Sequence, residues 1–403
     1  MLKLPINFSK GPREKEFLTL DIGTDFVKCM IFRKNADVAL KLTGWAKVPL
    51  PIFSTRAGSI VDFEAVFAAT KDALTEARGR SQSKARDVVI GLSGEVTHGL
   101  VTSVRLTRAD IETPITEKEM EVIIGKIQET AYVEAAKGIV EMTGNPDLEI
   151  ELTNSSISSL KVDGTFVKDP RGLTGEKMDI ALFTAFSPIS HLKVLQKLAS
   201  SLKLNIITIS SQMYALSKVL SRDENYANVV IIDAGGETTD VGIVFGGGIA
   251  ATRTLSLGGR HMTRILAETF NVNMREAEEL KVRYTLANIS PDQALIIKES
   301  LDKVLALWVS GLEVLFSDFD GIRTFPSKVY LVGGASALNE VLEVLRKEPW
   351  TKHIPFKEPP SFERAYMSTL NGLVDYSSKT IEVEDIMPVS LAEVYLEMER
   401  GGV

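Results

Sequence analysis

The strongest pattern in the chain is a short apolar run that ends at an aspartate, turns through glycine and continues into a second apolar run. It occurs twice, at 18–32 and at 229–249. Each copy predicts a β-hairpin with a polar tip, because the runs have the length of buried strands and glycine permits a tight turn. Three pairs of residues align when the copies are superposed without a gap: Asp21 with Asp233, Gly23 with Gly235, and Ile31 with Ile243. The repeat therefore predicts two similar α/β domains whose polar tips face one cleft.

The periodicity of the remaining chain predicts its division into domains. One helical pattern begins at Asp62, which is placed as an N-cap, and another begins with a capping box at Thr116 and Glu119. After the second helix and two further strands, a strand at 180–186 resumes the buried pattern of the first domain. The predicted divisions are a flexible leader at 1–16, domain I at 17–228 with a small α+β insert at 95–178, domain II at 229–376 with a helical subdomain at about 260–319, and an acidic tail at 377–403.

Composition narrows the class of protein. A chain of 403 residues with 44% hydrophobic residues is long enough for two globular cores. Its formal charge of −7 argues against nucleic acid as a partner. Cys29 lies in an apolar strand and is expected to be a buried thiol, and the four histidines are too far apart in sequence to suggest a zinc site. Since no apolar run reaches the roughly 18 residues of a membrane helix, we expect a cytoplasmic protein.

The polar tips carry residue types that bind phosphate. Glycines such as Gly235 and Gly236 let backbone N–H groups approach an anion, and the hydroxyls of Thr238 and Thr239 add hydrogen bonds. An aspartate at the tip can hold a magnesium ion through water. The tips therefore predict a site for a metal-bound phosphate.

Two weaker signals lie in the second half of the chain. A helix predicted at 274–284 presents Glu278 and Lys281 on one face at i, i+3 spacing, which by itself indicates an exposed ion pair. A strand predicted at 328–332 runs into the sequence Gly-Gly-Ala at 333–335 before a helix. Such a turn allows a flat group, for example a base, to approach the backbone closely.

In this order, the motifs resemble those of the actin-like ATPase superfamily, and the chain is most similar to the bacterial cell-division protein FtsA over about 17–376. The matching segments are 21–24 and 233–240 (the two phosphate motifs), Gln212 (a residue that orients water), 276–283 (a ribose-contacting helix), 333–336 (the adenosine motif) and 365–372 (the final connecting helix). The segments 58–62 and 169–175 are similar to FtsA in particular. The resemblance implies an α/β actin-like fold with two duplicated ribonuclease-H-like domains around a nucleotide cleft.

The resemblance also implies ATP and Mg²⁺ as cofactors. Asp21 and Asp233 are then expected to hold Mg²⁺ through water, and Gln212 to position the attacking water. Because glutamine cannot accept a proton, we expect at most a slow Mg²⁺-dependent ATPase in which ATP acts as a conformational clamp. The residues expected to bind the nucleotide are Gly23, Thr24, Lys28, Gly235, Gly236, Thr238, Thr239, Asp240, Glu278, Lys281, Gly333, Gly334 and Ala335.

The implied partners are the C-terminal peptide of FtsZ, other proteins of the division septum, and further copies of the chain in filaments. FtsA ends in a basic membrane helix, whereas 380–403 holds six acidic residues and one basic residue. Anionic lipid repels such a segment, so contact with the inner membrane stays open, and the apolar positions Val389, Ala392 and Leu396 suit a partner protein. The nearest alternative is a PilM-like adaptor of type IV pilus assembly. A small-molecule kinase is a further alternative, for which no separate aspartate base is found.

Overall fold

The structure is a computed structural model and describes residues 16–34, 40–56, 58–222, 227–347, 349–366, 374–375 and 379–399. The strands are β1 (Glu16–Ile22), β2 (Phe26–Lys34), β3 (Leu40–Pro49), β4 (Thr55–Arg56), β5 (Ser59–Ile60), β6 (Asp87–Leu92), β7 (His98–Thr107), β8 (Ile150–Val162), β9 (Thr165–Phe166), β10 (Lys177–Pro188), β11 (Asn205–Ser211), β12 (Val229–Ala234), β13 (Thr239–Phe245), β14 (Gly248–Leu255), β15 (Lys328–Val332), β16 (Ser361–Arg364) and β17 (Val374–Asp375). The helices are α1 (Phe63–Ser81), α2 (Glu117–Thr143), α3 (Ile189–Ser201), α4 (Gln212–Leu220), α5 (Gly259–Phe270), α6 (Met274–Thr285), α7 (Pro291–Ser317), α8 (Asn339–Arg346) and α9 (Ile386–Glu399). Nearly all of the predicted leader, and most of the predicted connecting helix at 365–372, lie outside the described residues.

Domain I is built on a six-stranded sheet in the order β11-β6-β1-β2-β3-β17. β1, β2 and β3 form an antiparallel meander, while β6 runs parallel to β1 and β11 runs parallel to β6. Side chains alternate across the strands, so Leu18 packs beneath α1 and α3 while its neighbour Phe17 packs beneath α4 and α9. The sheet is therefore covered by helices on both faces.

Domain II repeats this topology. Its five strands lie in the order β14-β13-β12-β15-β16. β12 and β14 each pair antiparallel with β13, whereas β15 pairs parallel with β12 and β16 pairs parallel with β15. Helices α5 to α8 cover its outer face. Its inner face places Val229 and Ile231 in the same core as α4 and α9, which lie between the two sheets. The duplicated α/β architecture predicted from the two hairpins is confirmed.

Several helices begin where local sequence predicts. The side chain of Asp62 accepts a hydrogen bond from the N–H of Ala65 at 3.0 Å and starts α1. Asn273 and Glu276 form a capping box at α6, each side chain accepting from the other residue's N–H at 3.0 and 3.1 Å. These helix starts need no tertiary contact.

The insert is larger than the predicted 95–178. Its sheet has the order β7-β10-β8-β9 and packs against α2. β10 pairs with β7 and β8 along its length, so the strand predicted for domain I at 180–186 belongs to the insert. Leu182 faces the insert core and Phe183 faces the core beside α4. Burial on both faces gives the continuous apolar run of a central strand, and such a run does not reveal to which sheet the strand belongs.

The segment predicted as an acidic tail contains a buried helix of domain I. α9 packs against β1, β2, β6, β11 and α4. Tyr395 stacks on Phe17 with ring centroids 3.6 Å apart, and Glu397 pairs with Lys218 at 2.7 Å. The apolar positions assigned to a partner protein are almost fully buried within the chain: Val389, Ala392 and Leu396. That assignment is therefore wrong for the described residues, because the helix fills the core between the sheets.

Candidate functional site

The two polar turns meet between the domains. Gly23 N–H donates to Phe26 O at 3.0 Å in the β1–β2 turn, and Gly235 N–H donates to Thr238 O at 2.9 Å in the β12–β13 turn. A β-carbon added to Gly236 would lie 2.7 Å from Cβ of Thr24. The two turns are therefore in contact, and this close approach is possible because Gly236 has no β-carbon.

Asp21 is the centre of the domain I side of the cleft. Gln212 Nε2 donates to its Oδ1 at 2.8 Å, and Lys28 Nζ approaches its Oδ2 at 3.3 Å. Lys28 also donates to the backbone oxygen of Glu384 at 2.8 Å. Burial lowers the pKa of Lys28, but the charges of Asp21, Glu384 and Asp385 outweigh it and raise the pKa above its ordinary value. The structure thus brings together Asp21, Lys28 and Gln212, which sequence analysis grouped.

Asp233 and Asp240 face each other across β12 and β13 on the domain II side. Desolvation, followed by the charges of Asp240 and Asp21, raises the pKa of Asp233 to about 7. Burial also raises the pKa of Asp240, whose carboxylate accepts hydrogen bonds from Gly94 N–H at 3.2 Å and from the Thr254 hydroxyl. The cleft therefore holds several carboxylates that repel one another.

The two threonines of the second turn have different environments. Thr239 is completely buried in domain II, where its hydroxyl donates to Leu257 O at 2.7 Å and accepts from Trp308 Nε1 at 2.8 Å. Thr238 is partly exposed at the turn. Thr238 lies in the turn before β13, whereas Thr239 is the first residue of the strand. The Thr239 hydroxyl is therefore already paired within domain II, and its contact with the nucleotide stays a prediction.

The predicted nucleoside residues lie together. Lys281 is 9% exposed, and its Nζ pairs with Glu278 Oε2 at 2.7 Å and donates to Thr263 Oγ1 at 2.8 Å. A β-carbon on Gly259 would lie 3.3 Å from Cβ of Ala335 and 3.5 Å from Lys281 Nζ. The ion pair is thus no surface pair but links α6 to α5, and Gly259 of α5 lies beside the turn after β15.

The glycines of that turn differ in what they permit. Gly333 has φ +85°, and a β-carbon there would lie 2.3 Å from Asp233 Oδ1. A β-carbon on Gly334 would meet no atom within 4 Å. Gly333 therefore lets β15 pass beside the cleft carboxylate, whereas Gly334 borders open space.

Two further groups lie beside the turns and are not predicted from the sequence. Arg260, at the start of α5, contacts Asp25 in the first turn and Glu237 in the second. Glu95 accepts from the Ser256 hydroxyl at 3.2 Å, and burial raises its pKa. The sole sequence signal for Arg260 is its place directly after Gly-Gly at 258–259.

Comparison with known proteins finds sequence similarity to cell division protein FtsA. The family model of cell division protein FtsA matches residues 230–373. FtsA of Neisseria meningitidis is 24% identical over 285 residues, covering 68% of this chain and 63% of that protein, and FtsA of Bacillus subtilis is 23% identical over 351 residues, covering 81% and 75%. The match to the Neisseria protein thus spans less than two thirds of its length.

A solved structure extends the fold comparison. The PilM–PilN type IV pilus biogenesis complex contains a chain that matches 96% of this one and 99% of its own length, with a TM-score of 0.67 and 20% sequence identity. The expected actin-like fold and the expected resemblance to FtsA are both confirmed. In the part of the chain that the structure describes, no helix has the length and apolarity needed to span a bilayer.

Proposed function

The chain has the actin-like ATPase fold and is similar in sequence to cell division protein FtsA, and from this premise we propose that it binds Mg²⁺-ATP between its two turns as a conformational clamp in cell division. The observation that supports this most is the meeting of the β1–β2 and β12–β13 turns, with Asp21 and Asp233 at the ends of the strands that lead into them. Gly23, Thr24, Gly235, Gly236 and Thr238 line the turns and would bind phosphate.

The carboxylates fit a hydrated cation. Among the described residues, no cluster of three or more histidine, cysteine or carboxylate side chains forms a direct metal site. Asp21 is already engaged by Gln212 and Lys28. The raised pKa of Asp233 reflects desolvation and like charges that a divalent cation would offset. Mg²⁺ keeps several waters when it binds beside phosphate, which suits contacts through water to Asp21 and Asp233.

The nucleoside is proposed to lie at the other end of the cleft. Glu278 and Lys281 form a preorganised pair beside Gly259 and Ala335. The open space next to Gly334 leaves room for a flat group against the backbone. The charged pair then offers hydrogen bonds to hydroxyls of a ribose.

Hydrolysis is proposed to be slow. The amide of Gln212 is oriented by Asp21 at the edge of the phosphate turns, where it can align a water molecule. It cannot remove a proton, and Asp21 is held by two hydrogen-bond donors. Bound nucleotide would therefore persist and hold the domains together, as expected of a clamp.

The role in division is inferred from the FtsA relatives. We propose that the chain binds the C-terminal peptide of FtsZ, associates with other copies in filaments, and works at the cytoplasmic face of the inner membrane. Pelleting of the purified protein with ATP and magnesium, with and without liposomes and the FtsZ peptide, tests this. ATP-dependent pelleting together with the peptide supports the proposal. A protein that stays monomeric and does not bind the FtsZ peptide contradicts it.

Nucleotide binding has its own test. Titration with a fluorescent ATP analogue and Mg²⁺ is expected to show binding that Lys281→Ala weakens about tenfold, since a charged hydrogen bond is lost. Lys303→Ala is the matched control, because Lys303 is exposed on α7. Equal affinities of the two variants for the ATP analogue would contradict the proposed nucleoside site.

The second candidate is an adaptor like PilM. The observation that favours it is the correspondence of fold over 96% of this chain and 99% of the chain in the PilM–PilN complex. A peptide from a PilN-type partner, placed in the same pelleting and binding assays as the FtsZ peptide, separates the two roles. Selective binding of the PilN-type peptide would assign the chain to pilus assembly.

A further inference from the structure

A buried arginine joins the two turns directly. Arg260 is 6% exposed. On the domain I turn, its Nε donates to Asp25 Oδ1 at 3.0 Å and its Nη2 donates to Thr24 O at 2.9 Å. On the domain II turn, its Nη1 donates to Glu237 Oε1 at 2.9 Å. One guanidinium therefore spans the boundary between the domains.

The backbone of Arg260 is tied to one of these turns. Its N–H donates to Gly236 O at 2.7 Å. A β-carbon on Gly258 would lie 2.7 Å from Gly235 O, so glycine is required for α5 to begin this close to the turn. Arg260 is thus anchored to domain II by its backbone, while its side chain crosses to domain I.

The charges around Arg260 are unbalanced. Two carboxylates, Asp25 and Glu237, share one guanidinium, and both stand in turns proposed to bind phosphate. A guanidinium makes the same kind of charge-assisted pair with carboxylate and with phosphate. A polyphosphate that enters between the turns is therefore repelled by the carboxylates of Asp25 and Glu237. The guanidinium of Arg260, which could bind it, is already paired with these carboxylates.

We propose that Arg260 is a latch that holds the two turns together, and that Asp25 and Glu237 compete with nucleotide phosphate for it; the second half rests on the proposed nucleotide site. Phosphate binding then exchanges carboxylates for phosphate oxygens on the same guanidinium. Because the backbone of Arg260 is bound to Gly236, the exchange also links the nucleotide to the position of α5.

The latch is tested without nucleotide by amide hydrogen exchange. Arg260→Met keeps an unbranched aliphatic side chain but removes the guanidinium with its charge and its donors. Arg264→Met is the control, since Arg264 is exposed one turn further along α5. We expect amides at 23–26 and 235–238 to exchange at least about tenfold faster in the Arg260 variant only. The double variant Asp25→Asn with Glu237→Gln removes the ion pairs instead and should show the same acceleration. Unchanged exchange in both would overturn the latch.

The competition is tested by titrating MgATP. The double variant is expected to bind about tenfold more tightly than the original chain, and Arg260→Met about tenfold more weakly, because one removes the competing charges and the other removes the cation. Unchanged or weaker binding by the double variant would overturn the competition. If neither the original chain nor the double variant binds MgATP, the proposed nucleotide site fails and the competition with it, while the exchange result still decides the latch.

Discussion

Asp233→Asn is expected to remove a pH dependence of stability that arises in the cleft. Desolvation and the charges of Asp240 and Asp21 raise the pKa of Asp233 from 3.8 to about 7. A carboxyl whose pKa is higher in the folded state stabilises the fold when it is protonated. This contribution is full below the unfolded value of 3.8 and is lost as the pH rises through about 7.

The magnitude follows from that interval. At about 1.4 kcal/mol per pKa unit, the rise from 3.8 to about 7 sets an upper limit of about 4 kcal/mol. The side chain of Asp233 is partly exposed, so solvent screening reduces the expected contribution to about 1–2 kcal/mol. Asparagine has nearly the same shape and no charge, so the variant should lack this contribution to the pH response.

Urea unfolding without nucleotide or metal measures the effect. Between about pH 5 and pH 8, the original chain should lose about 1–2 kcal/mol of unfolding free energy relative to the Asp233 variant. Asp72→Asn is the control, because Asp72 is exposed on α1 and should leave the pH response unchanged. Parallel curves for the original chain and Asp233→Asn would refute the assigned electrostatics of the cleft.

Three further substitutions test the packing around the site. Gly333→Ala is expected to cost about 2–4 kcal/mol in urea unfolding, because the backbone has φ +85° and the new carbon would lie 2.3 Å from Asp233 Oδ1; a loss below about 1 kcal/mol would contradict this geometry. Thr239→Val leaves Trp308 Nε1 without its acceptor and should cost about 1–3 kcal/mol while nucleotide affinity in the fluorescent titration stays unchanged. A lower affinity would return Thr239 to the phosphate site. Leu391→Ala should cost about 2–5 kcal/mol, because the side chain is completely buried, and a change within about 0.5 kcal/mol would show that α9 is not part of the core.

Much of the site could be predicted from sequence because its parts are local. A buried strand, an aspartate and a glycine turn follow one another within a few residues, and the repeat at 18–32 and 229–249 predicts the shared topology of the two sheets. Gln212 is identified through the resemblance to actin-like proteins instead, and its hydrogen bond to Asp21, 191 positions away, comes from the structure alone.

Features whose partners are distant in sequence depend on how the chain packs. Thr239 points into the core of domain II because the register of β12, β13 and β14 sets which face each residue occupies. The acidic helix α9 is buried because α4 and the domain I sheet pack against it, and Lys218 offsets the charge of Glu397.

Arg260 shows most clearly the difference between features set by local sequence and features set by packing. The sequence is enough to predict the hairpins, their polar tips and the duplicated α/β fold, because periodicity and turn chemistry depend on neighbouring residues. It carried no sign that one arginine reaches Asp25, since 235 positions separate the two residues. Only the packing of the two domains brings the guanidinium to both turns, because burial and ion pairing depend on where distant segments meet rather than on their order in the chain.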